Sequence, residues 1–135
     1  MRSYQIALRV FAMVIVGIAL VHMIFGVSSE LFLGAGLSDS SATDPNLDSQ
    51  NRFYGAAFML YAAVWWLASQ DLRKYQTLLT WSLCIFWVAG LSRLLSIFWV
   101  GLPTVQILAL TMLEVLGPPI MYVWLLRVVA ATTRQ

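Results

Sequence analysis

Two oppositely charged residues, Arg93 and Glu114, lie deep inside long apolar segments of this sequence. A charge at the centre of a membrane helix costs roughly 2.5–3.5 kcal/mol on insertion scales, so such a residue needs a partner or a function. Arg93 lies eight residues before Gly101, which is ~12 Å at helical rise. Glu114 lies ten residues after Thr104, which is ~15 Å. Because a short turn joins the two segments, we expect the two side chains to form an ion pair.

Four more polar residues are predicted to lie in the same half of the protein. His22 comes eight residues before Glu30, which ends the first apolar segment, so it is placed ~12 Å below that end. Asp48 and Arg52 have i,i+4 spacing and therefore share one face of a helix. Together these residues predict a polar column, with a mouth of Glu30, Asp48 and Arg52 above His22, Arg93 and Glu114.

Two functions suit such a column. A binding or accessory protein would use it to hold the head group of a small amphipathic ligand or to dock a partner subunit. A membrane enzyme would use Glu30 or Glu114 as the general acid and base. Arg52 or Arg93 would then stabilise an anion. The sequence has no metal-binding motif, no P-loop and no lysine in an apolar segment that could form a Schiff base. We therefore expect binding rather than catalysis, and we assign no catalytic residue and no metal ligand. The sequence leaves any cofactor unknown.

The same residues also admit a purely structural explanation. An Arg93–Glu114 pair can fix the register of two helices without binding anything. His22 is the chain's one histidine, and a lone histidine is more often a hydrogen-bonded core residue than a ligand. The chain also has one cysteine, Cys84. With one residue of each type, it can form neither a disulfide framework nor a Cys/His zinc site by itself.

The composition is that of a membrane protein. Of the 135 residues, 61% are hydrophobic and 10% are charged, against roughly 25% charged residues in soluble domains. A soluble domain of this length could not cover so much apolar surface, which argues against a soluble enzyme. The net charge of +2 comes without a basic run, so we expect no nucleic-acid partner. Membrane lipids are the expected surroundings, and we expect a homo-oligomer or a subunit of a membrane complex.

Four apolar segments are each close to the ~20 residues that cross a bilayer. They predict an all-α, integral membrane four-helix bundle, with residues 1–135 as one domain. The predicted spans are about 10–33, 53–69, 78–100 and 105–129, with a loop over 34–51. In that loop Asp44-Pro45 predicts a turn, and Asp48 or Ser49 is expected to cap the second helix.

Two prolines interrupt the hydrogen-bond ladder of the fourth segment. Pro118 has no N–H for the carbonyl of Glu114, and Pro119 has none for that of Val115. We expect a kink there, and carbonyls freed at this depth must face protein, ligand or water rather than lipid. The sequence therefore predicts a cavity along the polar column, unless Thr111 or a neighbouring helix serves these carbonyls instead.

The cations predict the orientation. Lysines and arginines near the ends of spans collect on the cytoplasmic side. If both termini are cytoplasmic, all the interfacial cations fall on one side: Arg2, Arg9, Arg73, Lys74, Arg127 and Arg134. The 34–51 loop, with three aspartates, then faces the opposite side.

Two blocks of the sequence resemble a family of small bacterial four-helix membrane proteins. Residues 48–55 read DSQNRFYG and resemble its D-S-x-x-R-F-Y-G signature, and residues 90–96 read GLSRLLS and resemble its G-x-x-R-L-x-S block. That family is known as domain of unknown function 4345. The resemblance extends to Glu114 and Pro118 and implies a bacterial inner-membrane protein, without implying an activity. The architecture is more distantly similar to DoxX-type membrane proteins, from which no function follows.

The predicted orientation can be checked by labelling with a membrane-impermeant thiol reagent. Cysteines placed at Ser41 and Thr133, in a Cys84→Ala background, are expected to react at Ser41 but not at Thr133 in cells whose outer membrane has been permeabilised. Labelling at Thr133 but not at Ser41 would show that the orientation is the opposite of the predicted one.

Overall fold

The computed structural model describes residues 1–133, and this part of the chain is helical, without strands. Four long helices make up most of it, and a 3-10 helix and one short helix connect the first two of them. The elements are α1 (Arg2–Phe25), a 3-10 helix (Gly26–Leu33), α2 (Asp39–Ala42), α3 (Pro45–Ala68), α4 (Gln76–Val100) and α5 (Val105–Thr133). Arg134, one of the cations that predict the orientation, lies outside the described residues.

Three helical segments are long and apolar enough to cross a membrane. They are Arg2–Leu33, Gln76–Val100 and Val105–Ala131, and the most apolar 18-residue stretches in them have mean hydropathies of 2.6, 1.9 and 1.6. The chain is therefore a helical membrane protein. The helix α3 is less apolar, because its first two turns are polar and only residues 53–68 continue as an apolar stretch.

The helices extend beyond the apolar segments from which they were predicted. The helix α1 begins at Arg2 rather than near residue 10, and α3 begins at Pro45 rather than at 53. The predicted loop over 34–51 therefore shortens to 34–44. Hydropathy finds the apolar part of a helix, whereas its polar turns at the interface are revealed by capping residues.

Asp44 caps α3. Its Oδ1 accepts hydrogen bonds from the backbone N–H groups of Asn46 (2.8 Å) and Leu47 (3.4 Å), and Pro45 occupies the first helical turn. The prediction that Asp48 or Ser49 caps this helix is wrong, because Asp44-Pro45 begins the helix instead of a separate turn. Asp48 is thereby free to bond elsewhere.

The long helices pack as two pairs, α1 with α3 and α4 with α5. We call the end with the start of α1, the end of α5 and the 69–75 turn the terminal end. The opposite end, with the 34–44 loop and the 101–104 turn, is the loop end. In the first pair, Arg9 Nε donates to Ser69 Oγ near the terminal end, and Val27 N–H donates to Asp48 Oδ1 near the loop end. The α3 helix therefore runs antiparallel to α1 along most of its length.

The apolar core lies towards the terminal end, where both pairs meet. The Tyr4 hydroxyl donates to the Met121 carbonyl (3.1 Å), and Trp65 Nε1 donates to Ser82 Oγ (2.8 Å). At the loop end, the Thr104 hydroxyl joins the pairs by donating to the Leu33 carbonyl (2.7 Å). The buried hydrophobic residues of the core are Tyr4, Leu8, Ala12, Ile15, Ala62, Trp65, Ala68, Leu72, Leu79, Leu83, Phe86, Met121 and Leu125.

Gly55 lets α3 approach the backbone of α1. A Cβ at this position would lie 2.8 Å from the carbonyl oxygen of Ala19 and 2.9 Å from the backbone nitrogen of Met23. Because these atoms belong to the backbone, they cannot rotate away as a side chain would. Gly17, in contrast, has no atom within 4 Å of an added Cβ.

These two glycines form a matched test of the α1–α3 seam. Gly55→Ala is expected to destabilise the protein by ~1–3 kcal/mol through overpacking. Gly17→Ala should be neutral or stabilising by up to ~1 kcal/mol, since alanine is the better helix former. Unfolding in detergent followed by circular dichroism measures both, and equal effects would show that the helices do not approach closely at Gly55.

Candidate functional site

Arg93 and Glu114 form the ion pair predicted from their depth. Arg93 Nε donates to Glu114 Oε2 at 2.7 Å, joining α4 to α5. The Glu114 side chain is 9% exposed, whereas the Arg93 side chain is 36% exposed. The carboxylate is thus enclosed by protein, while the guanidinium reaches the protein surface.

Gly90 brings α4 and α5 together beside this pair. A Cβ on Gly90 would lie 2.8 Å from the backbone carbon of Glu114 and 2.9 Å from its Cβ. One helical turn later on the same face, Arg93 extends towards the Glu114 carboxylate. The arginine can therefore reach its partner because the glycine lets the two helices touch.

Thr111 does not serve the carbonyls freed by the prolines. It is fully buried, and its hydroxyl donates to the carbonyl of Ile107 (2.9 Å) within its own helix. In residues 1–133 no side chain donates to the carbonyl of Glu114 or Val115. The helix α5 continues through Pro118 and Pro119, so acceptor groups lie close to the ion pair.

The Arg93 guanidinium keeps most of its hydrogen-bonding capacity. A guanidinium has five N–H donors, and the bond to Glu114 uses the one on Nε. Within the part of the chain that the structure describes, neither Nη1 nor Nη2 of Arg93 has a protein partner, and neither does Glu114 Oε1. The pair therefore presents both donors and an acceptor to a third group.

Arg52, in contrast, is fully engaged. Its Nη1 donates to the carbonyls of Met23 (2.7 Å) and Ile24 (3.1 Å), which close α1, and its Nε donates to Asp48 Oδ2 (2.7 Å). A cation at these carbonyls also stabilises the negative end of the helix dipole. Arg52 thus holds the end of α1 against α3, in a clamp that we call the Arg52–Asp48 clamp.

Asp48 completes the clamp from the preceding turn of α3. Its Oδ1 accepts from the backbone N–H of Val27 at 3.1 Å. The hydrogen bond from Arg52, and then that from Val27, lowers the pKa of Asp48 below its ordinary value. An added Cβ on Gly26 would overlap the Asp48 carboxylate, and Gly26 also has a positive φ of 56°. Glycine is therefore required at this turn.

Glu30 and His22 meet in a separate network that includes Asn51. Asn51 Nδ2 donates to Glu30 Oε1 (2.8 Å), and the Ser29 hydroxyl donates to Asn51 Oδ1 (3.0 Å). His22 Nε2 lies 3.9 Å from the same Glu30 oxygen. Asn51 and Ser29 were not among the residues predicted for the column. The one signal in the sequence was an asparagine directly before Arg52, and its burial is known only from the structure.

The predicted polar column is therefore divided between the two helix pairs. The Arg52–Asp48 clamp and the Glu30 network belong to α1, the 3-10 helix and α3, whereas Arg93 and Glu114 belong to α4 and α5. Across residues 1–133 no hydrogen bond or ion pair connects the two groups. A continuous cavity from Arg52 to Glu114 stays a prediction. A groove described below lies elsewhere, at the terminal end of α5.

A comparison with protein-family models decides the family. The model described as Domain of unknown function (DUF4345) matches residues 3–125. The chain belongs to this family. No curated protein and no solved structure matches the chain. In residues 1–133 no three His, Cys, Asp or Glu side chains are grouped so that they could hold a metal ion.

The ion pair makes an asymmetric prediction about stability. Arg93→Leu should cost ~3–5 kcal/mol, because it leaves the enclosed Glu114 carboxylate without a partner. Glu114→Leu should cost less in detergent, because the guanidinium that it leaves is 36% exposed and can be hydrated there, whereas the carboxylate is enclosed by protein. The double variant should be more stable than Arg93→Leu alone.

Unfolding of the three variants in detergent measures these differences, with Ser92→Ala as a control. Ser92 neighbours Arg93, is exposed and donates only to the Ala89 carbonyl in its own helix. Losses that simply add in the double variant would show that the two charges do not interact in solution.

Proposed function

We propose that this protein is a small inner-membrane binding or accessory protein that holds the polar head of a small amphipathic ligand at Arg93 and Glu114. One observation carries the proposal: the terminal nitrogens of Arg93 have no partner within residues 1–133, although the residue lies inside a membrane-length helix. Hydrocarbon cannot form hydrogen bonds with those donors. Leaving a polar group without a hydrogen bond in an apolar environment costs ~2–7 kcal/mol.

The comparison with Arg52 supports a binding role for Arg93 in particular. Both arginines are held by a carboxylate on Nε at 2.7 Å. Arg52 also bonds backbone carbonyls with Nη1, as a residue that closes a helix end would. Arg93 has no such backbone contact within residues 1–133, so its fork of donors is available to a ligand.

The free groups indicate the chemistry of the ligand head. Two guanidinium nitrogens bind oxygen pairs such as those of a carboxylate or a phosphate in a planar, bidentate manner. The unused Glu114 Oε1 accepts a hydrogen bond from a hydroxyl on the same head. An acidic head that also carries a hydroxyl fits both, and its apolar tail would remain in the hydrocarbon.

The proposal includes a topology of four crossings with both termini in the cytoplasm. The helix α3 is the least apolar of the four, and its residues 53–68 cover ~24 Å. It is held to α1 near both ends, by Arg9–Ser69 and by Val27–Asp48. A helix fastened along a membrane-length partner crosses with it, and this supports α3 as the second span. The site then opens towards the periplasm of a bacterial inner membrane.

We further propose that the protein works as a homo-oligomer or as a subunit of a membrane complex. Phe98, Trp99 and Val100, at the end of α4, are 85–86% exposed. Such large side chains at the loop end can contact either lipid or another polypeptide, which is consistent with assembly.

The binding proposal is tested by titrating the purified protein in detergent with lysophosphatidic acid. A monoacylglycerol of the same chain length lacks the phosphate and serves as the matched ligand. We expect the acidic lipid to bind at least about tenfold more tightly, as one charge-assisted hydrogen bond of ~1.5–3 kcal/mol would require. Calorimetry gives both dissociation constants.

Two variants test whether the preference for the acidic lipid arises at Arg93. Arg93→Lys keeps the charge but loses the planar fork, so it should weaken binding of the acidic lipid about tenfold or more. Arg73→Gln removes a cation from the turn at the opposite end and should have no effect. Equal binding of the two lipids, or equal binding by wild type and Arg93→Lys, would refute the proposed function.

A further inference from the structure

A groove of about 480 Å³ runs along the outer face of α5 at the terminal end. It is lined by Pro119, Ile120, Val123, Trp124 and Arg127. The buried residues of α5 at the same level, including Met121 and Leu125, face the core instead. The groove therefore faces away from the core, and it is separate from the polar groups described above.

One wall of the groove is fixed by contacts with α1. The Trp124 ring meets the Tyr4 ring edge-on, with centroids 5.0 Å apart and planes at 85°. Tyr4 is itself fully buried and donates its hydroxyl to the Met121 carbonyl. Since Tyr4 cannot move without breaking that bond, Trp124 is held in place, and the groove is largely formed before anything enters it.

Arg127 is the one charged residue of the lining. It lies eight residues after Pro119, or ~12 Å along the helix, so the groove is apolar for most of its length and cationic at its end. Two other cations at the terminal end have partners within the protein: Arg9 and Lys74 lie over the rings of Trp66 and Tyr75. Arg73, at the same end, lies outside the groove. Arg127 is exposed and makes no contact of this kind in residues 1–133.

We propose that this groove binds an anionic phospholipid, with one acyl chain along Pro119, Val123 and Trp124 and the phosphate at Arg127. The apolar lining would contact the acyl chain, and the Arg127 side chain at the interface would attract the negative charge of the lipid head group. The occupant belongs to the leaflet at the terminal end, so it is a different molecule from the ligand proposed at Arg93, near the loop end. This inference does not depend on the function proposed above.

The test compares phosphatidylglycerol with phosphatidylcholine of identical acyl chains, added to the purified full-length protein in detergent. Native mass spectrometry counts the lipid retained, and the thermal midpoint reports stabilisation. We expect phosphatidylglycerol to be retained about fivefold more strongly, since an interfacial cation contributes ~1 kcal/mol towards an anionic lipid. Glycerol 3-phosphate, which has the charge without the chains, should neither bind nor stabilise.

Three variants assign the effect to the groove. Arg127→Gln should remove the preference between the two lipids, while Arg73→Gln, an exposed cation at the same end outside the groove, should retain it. Val123→Trp should fill the groove and reduce retention of both lipids. Circular dichroism and gel filtration check that each variant is folded.

The outcomes that contradict the inference are distinct. Equal retention of the two lipids, or equal effects of Arg127→Gln and Arg73→Gln, would show that Arg127 does not select a charged head. Binding of glycerol 3-phosphate as tight as that of phosphatidylglycerol would indicate a site for soluble anions. A dimer that Val123→Trp dissociates, with lipid retention unchanged, would show that a second copy of the chain occupies the groove.

Discussion

Hydrocarbon offers a polar group no hydrogen-bond partner, and the arrangement of the loop-end half of this protein depends on that constraint. In this half, several polar groups of the 3-10 helix and the Nε of Arg93 on α4 are matched by a group on a neighbouring helix. Asn51 bonds Ser29 and Glu30, Asp48 accepts from the N–H of Val27, and Glu114 accepts from Nε of Arg93. These bonds set which helices pair, because each of them crosses from one helix of a pair to the other or to the adjoining 3-10 helix.

The terminal-end half follows a different principle. There the helices of both pairs share one apolar core, and tyrosine and tryptophan contribute one hydrogen bond each across it. Aromatic rings suit this position because they fill volume and still present a polar atom to a neighbour. The protein therefore joins its two pairs mainly by packing at one end, and it stabilises each pair by polar contacts at the other. The ligand site proposed at Arg93 and Glu114 lies towards the loop end, where the two pairs are less closely joined.

The sequence predicted the class, the long helices and the Arg93–Glu114 pair, because each depends on local quantities. Apolar length indicates a membrane helix, and similar distances from a shared turn bring two residues to nearly the same level. The clamp could not be predicted in the same way. Nothing local shows that Arg52 turns towards the carbonyls of Met23 and Ile24, since that contact depends on how α3 is rotated against α1. The rotation of each helix about its axis could not be predicted from the sequence either, and the six polar residues of the one predicted column fall into two groups. Which neighbour a helix faces is decided by close approaches such as Gly55 on Ala19, and these appear only in three dimensions.

The Arg52–Asp48 clamp and the Asp44 cap also determine where this chain can tolerate a change of length. Both ends of the 34–44 loop are anchored, at Leu33 by the Thr104 hydroxyl and at Asp44 by the first turn of α3. Between those anchors the short helix α2 has no buried residue. Doubling the length of a flexible loop costs only ~0.6 kcal/mol in closure entropy, so an inserted tag or reporter there would leave the helix pairs intact. One residue added between Gly26 and Val27, by contrast, would separate the Asp48 carboxylate from the N–H that it binds and rotate every later residue of the 3-10 helix away from α3.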